Sequence, residues 1–385
     1  MIIFLACTLF LLFLMIYPYA VYPSLLKILM KFKRNTLHSL DIPNIQEEYL
    51  PNIAVLIAAY NESEYIEDAI HTIYAQRYPR CEVHVGSDGS TDDTVQIVER
   101  LQNQYPNLHV HALERRGKNA VNEYLVSHSQ SDVIVHLDAD VRLQQGALYS
   151  MCSRFTDANI GAVIGTSIDA PVNGTQDNHA AEHSVYRSLE FQTRSMESAL
   201  SSTVTSLGHF YAVRRIYRRS LPNEQVCDDY MPILHVLLEH KRVLADPHAC
   251  AFEIRTSPPG MEFKQAKRFA ACGMATVGEA DALLSPKYGL IALFLWSRKM
   301  LRWLMPIFYL LAICTSFLAW HEGSIIGMII FHCLIGLILL SLPGFLGLRI
   351  NIIRQACIFV RLQISLLGAW IHVLRSNASS TWERA

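Results

Sequence analysis

Long apolar segments near both ends of the chain constrain its fold more than any other sequence feature. Residues 1–22 contain no charged side chain, and further apolar runs cover residues 304–320 and 325–348. About 20 consecutive apolar residues are enough for a helix to cross the hydrocarbon core of a membrane. The sequence therefore predicts a membrane protein with an anchor at residues 1–26 and two spanning helices at residues 303–350.

Basic residues beside these segments predict which side of the membrane each one faces. Lys27 and Lys31 follow the first segment, and Arg298 precedes the second. Because basic flanks stay on the cytoplasmic side, we expect a multi-pass protein of the cytoplasmic membrane whose central domain is cytoplasmic and whose N-terminus is outside. No basic stretch precedes the first segment and no small-residue cleavage site follows it, which favours an uncleaved anchor over a signal peptide.

Two further segments have amphipathic patterns. Residues 261–302 begin with a predicted helix whose polar edge carries Lys264, Lys267 and Arg268, which is typical of a helix at an anionic membrane interface. In residues 351–385 the polar positions fall on one helix face: Asn351, Arg354, Arg361, Ser365, Gly368, His372 and Arg375. This second pattern fits either a helix in the cytoplasmic interface or a spanning helix whose polar stripe faces a protein-lined passage.

Strands alternate with helices in the middle of the chain. Apolar strand patterns at residues 51–62, 81–93, 108–113 and 133–137 are separated by helical patterns. This alternation is typical of βαβ units. The sequence therefore predicts an α/β fold with a mostly parallel sheet, in one domain at residues 50–260.

Acidic side chains stand where three of these strands end. Glu62 follows the first strand, Asp88 the second, and Asp138 and Asp140 the fourth. Because ligands bind outside the carboxyl ends of parallel strands, we expect these acids to share one site. Two carboxylates at i and i+2 could reach one Mg²⁺ or Mn²⁺ ion if the strand breaks into a turn there.

Two other pairs of residues are candidates for the same site. Lys118 follows Gly117 near a predicted helix start, where backbone N–H groups favour phosphate, although this pair alone favours an ordinary solvated basic loop. Asp228 and Asp229 stand at the beginning of another predicted helix. Adjacent helix residues do not share a face, so one carboxylate can cap the helix while the other points into the cleft.

Taken in order, these motifs resemble those of the family 2 glycosyltransferases, in particular the membrane-embedded branch with cellulose, hyaluronan, chitin and poly-N-acetylglucosamine synthases. The matching stretches are AAYNE at 58–62, SDGSTDDT at 87–94, GK at 117–118, DAD at 138–140, CDD at 227–229 and QAKRF at 265–269. The resemblance implies a GT-A-type sheet domain flanked by transmembrane helices and amphipathic interface helices.

The resemblance also implies a role for individual residues. It places the donor against Ala59, Tyr60, Glu62, Asp88, Lys118, Asp138, Gln265 and Arg268. It gives Asp138 and Asp140 to a Mg²⁺ or Mn²⁺ ion and makes Asp229 the catalytic base. It places the acceptor against Gly208, His209, Phe210 and Phe269. Phe269 stands where the family has tryptophan, and the smaller ring leaves processivity and acceptor identity open.

The implied reaction is the inverting transfer of a sugar from a nucleotide-diphosphate donor, taken to be a UDP-sugar. The acceptor is either a growing polysaccharide or a lipid-linked molecule at the cytoplasmic face. Membrane lipids would surround the helices, and with about three spans in one chain a self-contained channel for a polymer would be narrow or would need a homodimer or an export subunit. The net charge of −1 gives no indication of a nucleic-acid partner.

Two other classes of protein are alternatives. Phosphatases of the haloacid-dehalogenase type also use an aspartate pair after a strand, but they need Thr or Val where this chain has Arg142. A non-enzymatic membrane scaffold is the other alternative, although every acid expected of a transferase is present. Release of UDP from UDP-sugars separates a transferase from both.

Overall fold

The computed structural model describes residues 1–32, 42, 45–169, 178–222, 225–254, 262–348 and 350–375. The chain divides into two compact units. The helical unit comprises Met1–Lys27, Ser257–Ala275 and Ala292–Ala378, and the sheet unit comprises Ile28–Thr256, Thr276–Ile291 and Ser379–Ala385. Residues 376–385 of the predicted C-terminal segment lie outside the described residues.

The described residues form eight strands and thirteen α-helices. The strands are β1 (Ile53–Ala59), β2 (Cys81–Asp88), β3 (Leu108–Leu113), β4 (Val133–Leu137), β5 (Val141–Leu143), β6 (Ile160–Asp169), β7 (Phe210–Arg214) and β8 (Arg242–Glu253). The helices are α1 (Ile2–Ile16), α2 (Val21–Phe32), α3 (Ile66–Tyr74), α4 (Thr94–Gln102), α5 (Lys118–His128), α6 (Ala147–Ser153), α7 (Asn178–Leu200), α8 (Met231–Leu238), α9 (Glu262–Glu279), α10 (Leu290–Leu295), α11 (Leu301–His321), α12 (Ile325–Phe345) and α13 (Asn351–Leu374).

The sheet unit is built on one eight-stranded sheet in the order β3-β2-β1-β4-β7-β6-β8-β5. The first four strands in this order are parallel, and β7 is antiparallel to both of its neighbours. Four of the seven pairings are parallel, which confirms the predicted mostly parallel α/β fold. The four strands predicted from the sequence are confirmed as β1 to β4.

The central strands are continuous apolar runs because helices cover both faces of a parallel sheet. In β1 every residue except Ala58 is buried, and in β4 all five are. Gly86 in β2 lets α5 approach the sheet, since a Cβ there would lie 2.5 Å from a methyl group of Val121. The parallel arrangement places the carboxyl ends of β1, β2 and β4 on the same edge of the sheet.

Among the residues that the structure describes, three helical segments are long and apolar enough to cross a membrane. They are Leu290–His321, Ile325–Phe345 and Asn351–Leu374. The first includes α10 and α11, and the third is α13. By length and composition, therefore, the C-terminal amphipathic segment meets the requirement for a spanning helix.

The N-terminal apolar segment differs from the single continuous helix that its length suggests. It consists of α1 and α2, which are bent by 64° at a short break and would make a fourth span only if counted together. Pro18 lies in the break, and its ring fixes the backbone and removes an N–H that a continuous helix would need. The N-terminal amine contacts the carboxylate of Glu322, which lies in the loop between α11 and α12.

The polar stripe of α13 packs against protein within the helical unit. The Ser365 hydroxyl donates a hydrogen bond of 3.3 Å to the Phe263 carbonyl of α9. The Arg361 guanidinium lies over the ring of Phe263, 5.2 Å from its centroid, and over that of Phe345 at 4.8 Å. A Cβ at Gly368 would lie 3.2 Å from the side chain of Lys267, so this glycine provides space for the lysine.

Candidate active site

Hydrogen bonds hold the loops after β1 and β2 together. The Asn61 amide N–H donates to the Ser90 hydroxyl at 3.1 Å, and the Thr91 N–H donates to the Asn61 side chain at 2.8 Å. Asn61 has a φ of 52°, a left-handed conformation that asparagine tolerates better than most residues. The Glu62 N–H donates to the Thr94 hydroxyl at 2.8 Å, and Glu62 itself is buried.

Two predicted donor residues at the end of β1 differ in their surroundings. Ala59 is buried in the core of the sheet, so only its backbone can face a ligand. The Tyr60 ring is covered by the guanidinium of Arg115, whose central carbon lies 3.5 Å from the ring centroid. Stacked pairs of this kind are stabilised by the attraction of the cation to the ring face.

Asp88 at the end of β2 organises the loop that precedes α5. One carboxylate oxygen accepts hydrogen bonds from the backbone N–H groups of Arg116 at 2.7 Å and Gly117 at 3.0 Å. The other accepts from the Arg115 guanidinium at 2.8 Å and from Gly117 at 3.1 Å. These four hydrogen bonds occupy the acceptor positions of the carboxylate. Asp88 is only 3 % exposed. In this structure, Asp88 therefore positions the start of α5.

Lys118, the first residue of α5, forms an ion pair with Asp138. Its ammonium nitrogen lies 2.7 Å from one carboxylate oxygen, and both side chains are partly buried. Burial alone would lower the pKa of Lys118, but the carboxylates of Asp138 and Asp228 outweigh that effect and raise it above the ordinary value. The lysine is therefore a fixed positive charge among several carboxylates.

The chain makes a tight turn directly after β4. The Val141 N–H donates to the Asp138 carbonyl at 3.1 Å, which confirms the predicted break of the strand. The turn places both Asp138 and Asp140 at the carboxyl edge of the sheet, and both are partly exposed. One oxygen of Asp138 is paired with Lys118. Carboxylate oxygens are the hard donors that Mg²⁺ or Mn²⁺ prefers, so the residue types in this turn fit such an ion.

Asp229 lies in the loop before α8. Its carboxylate accepts a hydrogen bond of 2.6 Å from the Ser206 hydroxyl, and a Cβ at Gly208 would lie only 2.9 Å from the same oxygen. Burial and the neighbouring Asp228 raise the pKa of Asp229, while the Ser206 hydrogen bond and the charge of Lys118 lower it. The net effect is a raised pKa, which makes this carboxylate a stronger base than an ordinary aspartate.

Three polar residues that the sequence did not single out hold the candidate residues in place. They are Arg115, which binds Asp88; Asn122, whose amide donates to Asp228 at 2.7 Å; and Ser206, which donates to Asp229. Asn122 is the only one with a sequence signal, since it follows Lys118 by four residues and therefore shares its helix face. The other two are identified only by their contacts.

The predicted acceptor residues differ in exposure. Phe210 is fully buried in the sheet, where its ring packs against Gly165, and its predicted contact with the acceptor stays a prediction. His209 accepts a hydrogen bond of 3.1 Å at its carbonyl from the Asp138 N–H.

The remaining predicted residues lie on α9 in the helical unit. There the Phe269 ring is 61 % exposed and the Arg268 guanidinium lies 5.1 Å from its centroid. The roles of Gln265, Arg268 and Phe269 stay predictions.

Comparison with known proteins gives one family match and several relatives. Residues 54–221 match the family model for glycosyl transferase family 2. The poly-beta-1,6-N-acetyl-D-glucosamine synthase of Staphylococcus aureus (strain COL) is 35% identical over 158 residues, which cover 40% of this chain and 38% of that protein. The synthase of the same name from Staphylococcus epidermidis is 29% identical over 135 residues, covering 34% and 32%. The chain thus spans less than two fifths of the length of these relatives.

A solved structure is similar over nearly the whole chain. The mannosyltransferase of Pyrobaculum calidifontis, determined in complex with GDP-Man and Mn²⁺, has a TM-score of 0.67 and 20% sequence identity. The alignment covers 96% of this chain and 99% of that one. At this level of identity the likeness concerns the fold alone.

Proposed function

We propose that this chain, whose residues 54–221 match the family model for glycosyl transferase family 2, is an inverting glycosyltransferase that extends a polysaccharide. Its donor would be a nucleotide-diphosphate sugar, taken to be a UDP-sugar. The poly-N-acetylglucosamine synthases that match 40% of the chain support the polysaccharide product. The Pyrobaculum enzyme supports a nucleotide-diphosphate donor, because it was solved with GDP-Man.

The observation that carries the proposal is the group of charges around Lys118. This one cation pairs with Asp138 and also lies within the electrostatic influence of Asp228 and Asp229. An excess of carboxylates at the carboxyl edge of a sheet suits a divalent cation and the diphosphate that the cation accompanies. A non-enzymatic membrane scaffold would have no evident need for this group of charges.

Asp229 would act as the general base. Its raised pKa strengthens it as a proton acceptor, and the Ser206 hydrogen bond keeps one of its oxygens in a fixed direction. The glycine at position 208 leaves space beside that oxygen, since a Cβ would lie 2.9 Å from it. Asp229 would remove the proton from the acceptor hydroxyl as that hydroxyl attacks the anomeric carbon opposite the leaving diphosphate, which inverts the configuration. General-base assistance of this kind contributes about 10²–10⁴ in rate.

Asp138, Asp140 and Lys118 would bind the leaving group. The two aspartates would hold a Mg²⁺ or Mn²⁺ ion, which when bound supplies Lewis-acid neutralisation of the charge on the diphosphate. Lys118 would add a fixed positive charge in a partly buried position, where electrostatic stabilisation is stronger than in water. Asp88 would act indirectly, because it orders the loop that presents Lys118.

The sugar would be transferred at the cytoplasmic face of a membrane. The contact between the N-terminal amine and Glu322 supports a topology in which the N-terminus and the loop between α11 and α12 share the outer side. Basic residues at the other ends of these helices then favour a cytoplasmic catalytic domain. A polymer leaving through so few helices would use a second copy of the chain or an export subunit.

A lipid-linked acceptor is the second candidate, and the replacement of the family's tryptophan by Phe269 favours it. A smaller aromatic face holds a polymer end less firmly. The two candidates differ in their products. Polysaccharide synthesis gives a long, water-soluble polymer from a labelled donor, whereas transfer to a lipid gives one labelled species that is extracted with the membrane lipids.

The reaction is tested with the purified full chain in detergent, offered UDP-sugars and GDP-mannose with Mn²⁺, Mg²⁺ or EDTA. We expect release of the nucleoside diphosphate, loss of activity in EDTA, and loss of the response to metal in Asp140→Ala. Asp229→Asn should abolish transfer but still bind the donor, while the exposed control Asp157→Asn should keep full activity. Phosphate as the released product, or donor binding lost in Asp229→Asn, would contradict the proposal.

A further inference from the structure

A second group of polar residues lies on β2 and β3, away from the candidate active site. Glu82 and His84 alternate along β2, so they share one face of the sheet, and His109 on β3 is the register partner of His84. One ligand atom from each of the three side chains lies within 4.8 Å of the other two. The group therefore has the size of a metal coordination sphere.

The carboxylate of Glu82 is oriented by two hydroxyl groups. One of its oxygens accepts hydrogen bonds from Ser129 at 2.8 Å and from Ser131 at 2.7 Å, and both serines are buried. The other oxygen points to the imidazole of His84, 3.3 Å from Nε2. One oxygen of Glu82 is therefore fixed by two hydroxyl groups and the other lies beside the imidazole.

The imidazole of His84 is oriented in a similar way. Its Nδ1 makes a hydrogen bond of 3.2 Å with Nε2 of His111, and the ring stacks on that of His109. His84 is 4 % exposed, yet its Nε2 makes no hydrogen bond to any of the residues that the structure describes. When Nδ1 carries the proton, Nε2 presents its lone pair toward the second oxygen of Glu82, 3.3 Å away. A cation bound between the two atoms would replace the ion pair that a protonated His84 makes with this carboxylate.

This group is separate from the candidate catalytic site. His84 precedes Asp88 by four residues on the same strand, which corresponds to about 13 Å at the rise of an extended chain. Its ligands also differ in kind from Asp138 and Asp140, because two of the three are imidazoles. Imidazole ligands select Zn²⁺ and related transition metals, whereas Mg²⁺ and Mn²⁺ prefer oxygen ligands.

We propose that Glu82, His84 and His109 bind a transition-metal ion of the Zn²⁺ class. Three protein ligands leave a fourth position for water, and the exposed His109 gives the ion a route from solvent. The hydrogen bonds from Ser129 and Ser131 to Glu82, and from His84 to His111, are the outer contacts that orient metal ligands. Because β3 is the edge strand of the sheet, the ion joins that edge to β2.

The test uses the full chain without a histidine tag, stripped with EDTA, incubated with ZnCl₂ and desalted. We expect one zinc per chain by elemental analysis, a rise in melting temperature with Zn²⁺ that Mg²⁺ does not give, and no displacement by excess Mn²⁺. His109→Ala should lower the zinc affinity by at least about 100-fold, since removing an outer contact alone costs about 10–100-fold. Glu82→Gln should also lower it.

Two controls make the result specific. His248→Ala removes an exposed histidine elsewhere in the sheet unit, and Asp140→Ala removes the candidate catalytic ligand; both should retain zinc. Because His109 is exposed, its substitution should leave the apo protein as stable as the wild type, so a loss of zinc is not a loss of folding. Absence of retained zinc, or equal retention by His109→Ala, would overturn the proposal and leave the group as an imidazole–carboxylate network.

Discussion

Replacing Gly208 with alanine should move the carboxylate of Asp229 while leaving its charge and its hydrogen-bond partner in place. The new Cβ would lie 2.9 Å from the Oδ2 atom and 3.4 Å from Cγ of Asp229. Ordinary contacts between non-bonded atoms are about 3.5–4.0 Å, so the carboxylate must shift by about 0.5 Å. Ser206 holds the same oxygen at 2.6 Å, which restricts the direction of the movement.

The effect on rate follows from the size of this shift. A misplacement of about 1 Å costs roughly 100-fold, so we expect a loss of about tenfold in kcat, or about 1.4 kcal/mol of transition-state stabilisation. The KM for the donor should change little, because the three atoms nearest to the new Cβ all belong to Asp229. Gly208 does not have a positive φ, so alanine fits its backbone and the melting temperature should hardly change.

The assay is the initial rate of nucleoside diphosphate release at saturating donor, with the melting temperature measured in parallel. Gly278→Ala is the matched control, because a Cβ at Gly278 meets nothing within 4 Å. A wild-type rate for Gly208→Ala, or an equal loss in the control, would refute the reasoning.

Three further predictions concern neighbouring residues. Asp229→Asn should raise the melting temperature by a few degrees at about pH 8 but not below about pH 4. The reason is that folding raises the pKa of this carboxylate, so the protein loses stability as the pH rises through that pKa and the carboxylate ionises. Ser206→Ala should lose more activity at about pH 6 than at about pH 8, since loss of the hydroxyl raises the pKa of the base further. Asp88→Ala should lower the melting temperature by several degrees and speed tryptic cleavage after Arg115, because two backbone N–H groups lose their acceptor at about 1–3 kcal/mol each. Asp88→Asn should lower the melting temperature less than Asp88→Ala does.

Each of these predictions has a clear contrary result. If the melting temperature of Asp229→Asn equals that of the wild type at every pH, folding does not raise the pKa of Asp229. A Ser206→Ala profile that is lowered equally at all pH values would indicate a general structural defect. Unchanged proteolysis in Asp88→Ala would mean that the loop before α5 is held by other contacts.

The sequence by itself determined the first four strands and the edge of the sheet that carries the chemistry. The apolar runs of β1 and β4 predict buried parallel strands, and parallel strands bring their carboxyl ends to one edge. The acids after these strands, Asp138 and Asp140, were therefore predictable as neighbours. Local backbone geometry and hydrophobic periodicity are sufficient for such predictions because they depend on residues that are close along the chain.

The tertiary structure alone decided which side chains contact each other. Asn122 and Asp228 are 106 residues apart, and Ser206 and Asp229 are 23 apart, so no spacing rule connects them. Only the packed structure shows that Asp88 binds a loop backbone. The position of Phe210 inside the core was likewise decided by the sheet, because β7 is buried on both of its faces.

The group at Glu82, His84 and His109 shows the same division. The sequence contains the alternating pairs on β2 and β3, but their meeting depends on the register in which the two strands are hydrogen-bonded. A shift of one residue would turn the imidazoles to opposite faces. Strand register and side-chain packing are set by the whole core, and they are therefore the part of this protein that a reading of local sequence cannot supply.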